Sequence, residues 1–584
     1  MATVDCIQSM AIVSKRLVVL LNRNFSNQHH ASCSAPSYFI TTPIFYVNSR
    51  PHIGHLYTTL LADAAHRWHR LKFPVAKTIF STGTDEHGAK IEQSVTNLMS
   101  NCDPKSEKLN NTDLIKFCDD QSESYRKLFA KFNVSNTEFI RTTESKHVCA
   151  VEKFWRTLTK RGFIQKGSYT GWYCVADECF YKDSELIVDE SQGFTRRLAP
   201  SGRPVQWLEE ENYLFRFSEL RTTLKAWVSE SNVVHPERFK AKILNEIDAT
   251  PENISVSRSR QTWGIPVPDD PSQTIYVWFD ALVNYLTVAG YTERCADENG
   301  LERVLWPPDF QVVGKDILRF HAIYWPAFLL AAKLPLPKRI FSHSHWLVDY
   351  EKMSKTKGNV IDPLLLSERC TVEGLRYFLI RHGVPHRDQN YDETKLIEIL
   401  NDELANGLGN LVSRAVRPQN GVQFQWPHSI DINILLDDNN SPEFRKRCQD
   451  LIRLLSQLPD KVTVRYDCLD FYHGIDALYD VIRTANAFYQ HSQVWKLDPV
   501  SNADDLQVTV AVTYLILESL RLVAIFLTPV VPEISSNILN RLSIPVGERC
   551  MEHGRFCPRV PSHRCGIDLK KSSEVLFKRI EDKR

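Results

Sequence analysis

The sequence predicts an α/β protein with a parallel sheet and an inserted domain, followed by an all-α domain. Three observations support this fold class. A β-branched and aromatic run at 38–46, an amphipathic helical pattern and a second apolar run at 75–82 predict the strand, helix and strand of a parallel sheet. From about residue 137 to about residue 258 the alternation weakens and turn clusters increase, which indicates an insertion. After about residue 388 apolar residues recur at helical spacing, which is typical of a helical bundle.

The composition is that of an ordinary globular protein. The chain has 584 residues, 43% of them apolar and 24% charged, and its net charge is +1. A chain of this length holds on the order of three or four domains. These values argue against a disordered, fibrous or uniformly basic protein, but they allow a local basic face. Fourteen scattered cysteines favour a reducing compartment. The sequence contains no long uncharged apolar stretch, so we do not predict a membrane span.

The first 35 residues differ from the rest of the chain. Residues 11–26 are basic and apolar, contain serine and lack acidic side chains, as transit peptides do. Asp5 does not fit this composition, and an unstructured start or a short secretory signal is the alternative. We predict a transit peptide at 1–35 and import into the mitochondrial matrix.

The first strand and helix predict where ligands bind. Tyr38–Tyr46 is the strand, residues 47–50 form a loop, and Pro51 opens a helix for which Asn48 or Ser49 is the predicted cap. The buried stripe of this helix is Leu56, Leu60, Leu61 and Ala64. Ligands gather at the carboxyl ends of parallel strands. The loops expected there contain Asn48, Asp85, Asp280 and Gly314.

Further strands are predicted at 274–281 and 310–317, so Trp278 is expected at a strand end. Helical stripes follow at Leu396, Ile399, Leu400 and Leu404, and at Val508, Val512, Leu515, Ile516, Leu520, Val523 and Leu527. From Arg549 the chain is polar and irregular. Because Cys550, His553, Cys557, His563 and Cys565 are irregularly spaced, we expect a loose loop there rather than a zinc site.

Two short segments about three hundred residues apart carry chemistry. In Pro51-His52-Ile53-Gly54-His55, glycine lets an adenine ring approach the backbone, and imidazole N–H groups at a helix start suit phosphate oxygens. In Lys352-Met353-Ser354-Lys355-Thr356, two ammonium groups in a mobile loop suit the charge of leaving pyrophosphate. The alternatives are histidines that only cap or pack, and a solvated charged turn.

With these motifs, the chain resembles the organellar methionyl-tRNA synthetases, which are class I aminoacyl-tRNA synthetases. The resemblance runs from about Tyr38 to about Pro545, with a further match at 576–581, and the motifs match the HIGH and KMSKS signatures. Thr356 departs from the usual serine but keeps a hydroxyl. The resemblance implies a Rossmann-type catalytic domain at 36–136 and 259–345, an inserted connective domain at 137–258, a KMSKS-loop and stem-contact region at 346–395, an anticodon-binding bundle at 396–545 and a tail at 546–584.

The resemblance also implies a methionine pocket. Its residues fall here on Ile44, Tyr46, Asp85, Trp278, Ala281, Leu282, Tyr285, Ile317, His321 and Trp325. Ala281 and Tyr285 are one helical turn apart, and the last three residues follow at i, i+4 and i+8. Aromatic walls suit a polarisable thioether, and Asp85 offers a carboxylate to the substrate ammonium group. Ordinary core packing is the alternative for the aromatic residues. For His321, the thioether and a pocket tyrosine are alternative hydrogen-bond partners.

The catalytic residues of the same family correspond here to His52, His55, Lys352 and Lys355. ATP binding falls on Thr41, Asn48, Gly54, Asp316 and Lys355, with the Val360 backbone, and Arg258 is implied to orient the activated intermediate. Mg²⁺ is expected to accompany ATP on its phosphates. Many relatives bind zinc through paired Cys-x-x-Cys units in the inserted domain. Here only Cys174 and Cys179 are present, so we expect no structural zinc and no other metal site.

The predicted helical domain is implied to read the tRNA anticodon. Asn410, Arg414 and Trp495 are the positions that meet anticodon bases in the resemblance, and Asn486 leads into the last of them. An amide and a guanidinium on one helix face with an exposed indole suit unpaired bases. For Arg381, Arg387 and Arg417, tRNA phosphates and plain solvation are the alternatives.

The resemblance implies a methionine–tRNA ligase that activates L-methionine with ATP and transfers it to tRNA(Met) for organellar protein synthesis. A synthetase for another apolar amino acid is disfavoured by the small insertion and by Trp278, Tyr285 and Trp325. A catalytically idle RNA-binding protein is disfavoured by the intact motifs. A small nucleotidylyltransferase has no use for a helical domain of roughly 150 residues. We expect a monomer, because the chain ends at Arg584 without an appended domain, and no membrane contact, because the sequence has no long uncharged apolar stretch.

Overall fold

The structure is a computed structural model that describes residues 37–102, 110–174, 179–189, 196–291, 305–354, 358–416, 425–570 and 574–581. The chain folds into two compact units. The first contains the residues up to Pro51, 79–128 and 136–343, and the second contains 52–78, 129–135 and the residues from Ser344 onward. Neither unit is contiguous in sequence. The predicted transit peptide lies outside the described residues.

The described strands are β1 Tyr38–Tyr46, β2 Thr78–Asp85, β3 Glu138–Arg141, β4 Ile164–Cys174, β5 Cys179–Tyr181, β6 Ile187–Asp189, β7 Arg196–Leu198, β8 Gln206–Arg216, β9 Val234–His235, β10 Asn253–Ser255, β11 Ser257–Arg258, β12 Pro266–Val267, β13 Asp270–Ile275, β14 Phe310–Gly314, β15 Ile340–His343, β16 Trp346–Val348, β17 Glu351–Lys352 and β18 Gln389–Asn390.

The described α-helices are α1 Ile53–Lys72, α2 Ala89–Cys102, α3 Asn111–Lys131, α4 Ser145–Lys160, α5 Arg221–Glu230, α6 Arg238–Ala249, α7 Val277–Val288, α8 Trp325–Ala332, α9 Pro363–Cys370, α10 Val372–His382, α11 Glu393–Ile399, α12 Asn410–Ala415, α13 Pro442–Tyr466, α14 Phe471–Ser492, α15 Ala503–Leu527 and α16 Pro532–Arg541. Two π-helical segments, Phe320–Tyr324 and Leu400–Gly409, continue into α8 and α12.

The first unit is built on a six-stranded sheet with the order β3-β2-β1-β14-β15-β9. The pairs β2/β3, β1/β14, β14/β15 and β15/β9 are parallel, so the predicted parallel sheet is confirmed. The chain order reverses between β1 and β14, where Thr41 pairs with Gln311. Such a reversal opens a crevice at the carboxyl ends of the two strands. The ends of β1 and β14 are therefore where a ligand is expected.

The inserted segment is mainly antiparallel. Its four-stranded sheet has the order β10-β8-β4-β5, and β6 pairs with β7 in a separate hairpin. The core of the first unit continues from the insertion to the parallel sheet, because buried Phe215 of β8 packs edge-to-face on Phe328 of α8 with ring centroids 4.7 Å apart.

The second unit is largely helical, with a small sheet of the order β17-β16-β18. The predicted helical stripes are confirmed. In the first, Leu396, Leu400 and Leu404 are buried and Ile399 is half-buried; in the second, Val508 is half-buried and the other six residues are buried. Among the described residues, α15 is the one helix long and apolar enough to cross a membrane, and 89% of its apolar window is buried inside the protein. A core helix of a bundle has this composition as well.

Three sequence predictions are corrected by the structure. The run 274–281 is not one strand, because β13 ends at Ile275 and α7 begins at Val277, which places Trp278 in the first helical turn. The turn before α8 is π-helical rather than α-helical. The segment after Arg549 is irregular but not loose: the Tyr514 hydroxyl lies 2.8 and 3.0 Å from the carbonyl oxygens of Cys557 and Arg559, which share its one proton.

Candidate active site

The first turn of α1 is capped by the two histidines themselves. His52 is the N-cap, and its Nδ1 accepts a hydrogen bond from the Gly54 N–H at 3.0 Å. The His52 N–H in turn donates to Nδ1 of His55 at 3.1 Å. The cap predicted at Asn48 or Ser49 is therefore wrong, because the imidazoles occupy that role. Since both Nδ1 atoms accept, both neutral rings carry their proton on Nε2.

Gly54 is required by this arrangement. A Cβ atom at position 54 would lie 2.8 Å from Cε1 and 3.0 Å from Nδ1 of His52, closer than side-chain carbons approach one another. The two imidazole rings stack with centroids 3.8 Å apart. Glycine therefore lets the His52 ring fold over the start of the helix while its Nδ1 accepts the Gly54 N–H.

The lysine motif lies beside this helix start, within the second unit. The Ile53 N–H donates to the carbonyl of Ile361 at 3.2 Å, and a Cβ at Gly54 would lie 3.5 Å from Cε of Met353. Oδ1 of Asn359 stabilises the loop by accepting a hydrogen bond from the Ser354 N–H at 2.8 Å. Lys352 is exposed at the end of β17. Lys355 and Thr356 lie outside the described residues.

In the first unit, α7 presents Trp278, Ala281, Leu282 and Tyr285. Trp278 is half-buried, and the other three side chains are buried. The Trp278 indole stacks on Phe320 with centroids 3.7 Å apart and planes 4° apart. Ring centroids of Tyr285 and Trp325 are 6.0 Å apart. These contacts bring one group of the predicted methionine-site residues together; Phe320 was not predicted from the sequence.

His321 has a defined partner on each ring nitrogen. Its Nδ1 donates to the carbonyl of Ile317 at 2.9 Å, and its Nε2 lies 2.7 Å from the Tyr285 hydroxyl. With the proton on Nδ1, Nε2 accepts from Tyr285. Burial lowers the pKa of His321 to about 4, so the ring is neutral at physiological pH. Of the two alternatives left open by the sequence, the tyrosine is the partner in this structure.

Asp280 anchors α7 and was predicted only as part of a loop. Its carboxylate oxygens lie 2.7 Å from Nδ1 of His87 and 2.7 Å from Nε2 of His147. Burial alone would raise the pKa of Asp280, but the two imidazoles hold it at about 2. The carboxylate thus ties the start of α7 to the segment after β2 and to α4. No sequence signal identifies these partners, because they are 193 and 133 residues away.

Of the remaining residues of the predicted methionine and ATP sites, most lie near or just after a strand end, and Thr41 lies within β1. Asp85 is buried at the end of β2, and its carbonyl accepts from the Val47 N–H at 3.1 Å. Thr41 is buried in β1, whereas Ile44, Tyr46, Asn48 and Ile317 are half-buried and Asp316 is exposed. These positions fit the crevice expected where β1 and β14 end.

Arg258 is buried among aromatic rings. Its guanidinium lies 4.1 Å from the ring centroid of Tyr276, and its Nη1 donates to the carbonyl of Ser257 at 2.7 Å. An arginine held in this way presents a fixed cation, since the aromatic face and the carbonyl restrict its rotamers.

Three of the residues predicted at the anticodon site, Arg414, Asn486 and Trp495, come together in the second unit around Tyr489. Nη1 of Arg414 donates to Oδ1 of Asn486 at 2.9 Å, and the guanidinium lies 5.2 Å from the Tyr489 ring. Tyr489 in turn contacts Trp495, whose side chain is 41% exposed. Asn410 is exposed one turn before Arg414. Tyr489 is an addition to the set predicted from the sequence.

Potential metal ligands are few in the part of the chain that the structure describes. The backbone of Cys174 in β4 pairs with that of Cys179 in β5, and a structural zinc site needs four ligands. Cys550, Glu552 and His553 have ligand atoms within 4.8 Å of one another. The expectation of no structural zinc remains a prediction.

Residues 38–416 match the family described as tRNA synthetases class I (M). The chain is 42% identical to the mitochondrial methionine–tRNA ligase of Homo sapiens over 566 residues, covering 95% of this chain and 92% of that protein. A probable mitochondrial methionine–tRNA ligase of Dictyostelium discoideum is 39% identical, with 92% of each chain covered. The crystal structure of Mycobacterium tuberculosis methionyl-tRNA synthetase bound by methionyl-adenylate has a TM-score of 0.79 and 31% identity, covering 93% of this chain and 100% of that one.

Proposed function

The chain belongs to the methionyl-tRNA synthetase family of class I tRNA synthetases, and we propose that it charges tRNA(Met) with methionine in mitochondria. It is an aminoacyl-tRNA ligase with methionine and ATP as its small substrates. The observation that carries the proposal is the proximity of the two motifs: a Cβ at Gly54 would lie 3.5 Å from Cε of Met353, and the Ile53 N–H donates to the carbonyl of Ile361, five residues after the second motif.

The first step forms methionyl-adenylate. An oxygen of the methionine carboxylate attacks the α-phosphorus of ATP, and the bond from that phosphorus to the β-phosphate oxygen breaks, releasing pyrophosphate. We assign the Nε2–H groups of His52 and His55 as donors to phosphate oxygens, because their Nδ1 atoms are used for capping. Lys352 and Lys355 stabilise the leaving pyrophosphate, and Mg²⁺ accompanies ATP on its phosphates.

In the second step a ribose hydroxyl at the tRNA terminus attacks the methionyl carbonyl, and AMP leaves. The protein contributes positioning and charge stabilisation, and no covalent enzyme intermediate is required. We propose that the thioether packs against the rings of Trp278, Tyr285 and Trp325, since sulfur is favoured near aromatic edges. Asp85 is proposed to bind the ammonium group.

The proposal also covers the domains of the chain, its oligomeric state and its location in the cell. We propose catalytic segments at 36–136 and 259–345, the connective insertion at 137–258, the KMSKS-loop and stem-contact region at 346–395, the anticodon bundle at 396–545 and a tail at 546–584. Asn410, Arg414 and Trp495 read the anticodon. The protein works as a monomer in the matrix, after import directed by residues 1–35. A fusion of residues 1–35 to a fluorescent protein tests the import, and light scattering tests the monomer.

Methionine-dependent ATP–pyrophosphate exchange tests the activation step. His321→Ala is expected to raise the KM for methionine by about tenfold, because the pocket loses a buried partner of Tyr285. Lys355→Ala is expected to lower kcat by about a hundredfold with little change in the methionine KM. Lys357→Ala, two residues away in the sequence, is the matched control.

Absence of exchange in the purified unsubstituted protein would contradict the proposed methionine activation. Equal effects of His321→Ala and Lys355→Ala on kcat and KM would contradict the assignment of His321 to methionine binding and of Lys355 to turnover.

A further inference from the structure

The two ends of the proposed methionine site lie on different segments of the first unit. Asp85, proposed for the ammonium group, is the last residue of β2, and Trp278, proposed for the thioether, lies in the first turn of α7. Methionine has a limited length, so both of its ends bind at once only if these two side chains are held at a matching distance. A contact that joins the two segments would set this distance.

A buried hydrogen bond joins the two segments close to both ends of the site. His87 lies two residues after Asp85, and Asp280 lies two residues after Trp278. Nδ1 of His87 donates to Oδ2 of Asp280 at 2.7 Å, since an ionised carboxylate only accepts hydrogen bonds. The two side chains are 7% and 1% exposed. Hydrogen bonds to charged groups are stronger than those between neutral groups, so this bond can hold the start of α7 in register with the end of β2.

The segment that carries His87 is itself held firmly. Nε and Nη2 of Arg141 donate to the Glu86 carboxylate at 2.7 and 3.0 Å. The indole N–H of Trp263 donates to the carbonyl of Glu86 at 2.6 Å, and the Gly88 N–H donates to the carbonyl of Trp263 at 3.1 Å. The residues on both sides of His87 are thus fixed by partners of their own. The His87 ring is therefore a firm point against which α7 is aligned.

The other oxygen of Asp280 makes a second bond of the same length. Nε2 of His147, near the start of α4, donates to Oδ1 of Asp280 at 2.7 Å. Nδ1 of His147 lies 3.0 Å from the Thr287 hydroxyl in the last turn of α7. Helix α4 carries none of the residues proposed to bind methionine or ATP. The His147 bond therefore packs two helices together, whereas the His87 bond joins two parts of one binding site.

We propose that His87 is a positioning residue for methionine. Its bond to Asp280 sets the distance between Asp85, which binds the ammonium group, and Trp278, which packs against the thioether. The bond from His147 to the same carboxylate supports the fold and leaves that distance unchanged. The inference rests on the proposed function, because it names a residue that prepares the site for the amino-acid substrate of that reaction.

Amide substitutions can move the hydrogen-bond donor without removing it. Asparagine carries its N–H group the same number of bonds from Cα as Nδ1 of histidine, and glutamine carries it as far away as Nε2. His87→Asn therefore keeps a donor for Asp280, whereas His87→Gln displaces it. At His147, where Nε2 makes the contact, the order is reversed. His147→Gln keeps the donor and His147→Asn displaces it, so the two positions form a matched set.

Methionine-dependent pyrophosphate exchange gives the KM values for methionine and ATP, and urea denaturation gives the stability of each variant. For His87→Gln we expect the methionine KM to rise about tenfold and the ATP KM to stay within about twofold, because only the methionine site loses its register. His87→Asn should restore the methionine KM to within about threefold of the unsubstituted protein. His147→Asn should lower the unfolding midpoint but keep the methionine KM within about twofold.

Two results would overturn the inference. One is an equal rise of the methionine KM in His87→Gln and His147→Asn, which would make the anchor a packing contact alone. The other is an unchanged methionine KM in His87→Gln while exchange is normal, which leaves the proposed function intact. His87→Ser, which removes the ring without adding bulk, replaces His87→Gln if that variant does not fold, and the same rise is expected. Absent exchange in the unsubstituted protein contradicts the proposed function instead.

Discussion

At the residue scale, the histidines of the first motif show how a local structural role can prepare a chemical one. In the sequence, helix capping was the alternative to phosphate binding by these histidines, but in the structure the two roles are compatible. Because Nδ1 of each ring accepts a backbone N–H at the helix start, the proton of each neutral ring is placed on Nε2. The cap thereby fixes which nitrogen can donate to a phosphate.

His321 gives a prediction about pH at the same scale. Its pKa is lowered by burial from 6.5 to about 4. The unfolded chain therefore binds a proton that the folded protein does not between these values, so this residue's contribution to stability is complete above about pH 6.5 and is lost as pH falls toward 4. NMR titration of the His321 ring should give a midpoint near 4, and the methionine KM should stay flat down to about pH 5. A midpoint near 6.5 would refute this account.

At the scale of elements, the aromatic part of the proposed methionine pocket lies at helix starts rather than at strand ends. Trp278 lies in the first turn of α7, and His321 lies in a π-helical turn before α8. A π-helical turn alters the angular spacing of side chains, and such turns often occur at functional sites. The two segments are joined by Tyr285 and His321, and Asp280 holds α7 against His87 and His147.

Strand β2, which ends at Asp85, passes very close to the backbone of β3 at Gly83. A Cβ at Gly83 would lie 2.0 Å from the carbonyl oxygen of Ile140, an atom of the backbone of neighbouring β3. Gly83→Ala is therefore expected to separate the two strands and to lower the free energy of unfolding by at least about 3 kcal/mol, as overpacking does. Urea denaturation measures this change.

The control for that substitution is Gly547→Ala, because a Cβ there meets nothing within 4 Å. Its unfolding midpoint should remain close to that of the unsubstituted protein. Equal effects of the two substitutions would show that the contact with Ile140 is not the cause.

At the scale of the whole molecule, α1 belongs to the same compact unit as the helical C-terminal half. Its contacts explain this grouping. Arg376 donates to Asp63 at 2.6 Å and to the carbonyls of Phe132 and Val530 at 2.8 and 3.0 Å. At the far end of α1, Trp68 and Lys72 both donate to Asp467 at 2.7 Å. The helix that begins with the two histidines is thus fixed along its length by residues more than three hundred positions away.

Substitution of Arg376, the central cation of this network, should lower the stability of the fold strongly. The Arg376 and Asp63 side chains are both fully buried, and Arg376→Leu takes away the buried cation and leaves the carboxylate with the partly exposed Arg67 as its described ion-pair partner. We expect the free energy of unfolding to fall by about 3–5 kcal/mol, measured by urea denaturation. Burial alone would raise the pKa of Asp63, but Arg376 and Arg67 lower it below 3.8. The contribution of this carboxylate is present above pH 3.8 and is lost as pH falls further.

Arg453→Leu is the matched control, because it removes an arginine from an exposed ion pair with Asp450. Such pairs contribute little, so the change should stay within about 0.5 kcal/mol. A similar loss for both substitutions would mean that burial of the Arg376 pair has no special cost.

Local patterns in the sequence predicted several of the elements and both motifs. Strands β1 and β14, helix α1 and the stripe of Leu396, Leu400 and Leu404 are confirmed, because alternation and helical spacing record which side of each element is buried. The start of α7 was missed, since Thr274–Ala281 is rich in β-branched and aromatic residues and helix formation there depends on tertiary packing.

The tertiary structure alone decided which side chains meet. The sequence left the partner of His321 open between a thioether and a pocket tyrosine, gave no partner for Asp280, and left open whether the paired histidines cap their helix. Hydrogen bonds and ion pairs between residues that are tens or hundreds of positions apart leave no periodic signal, because they are set by how the elements pack and not by the neighbours of each residue along the chain. The sequence thus determined the chemistry available to this protein, and folding decided which nitrogen, ring and carboxylate are placed to use it.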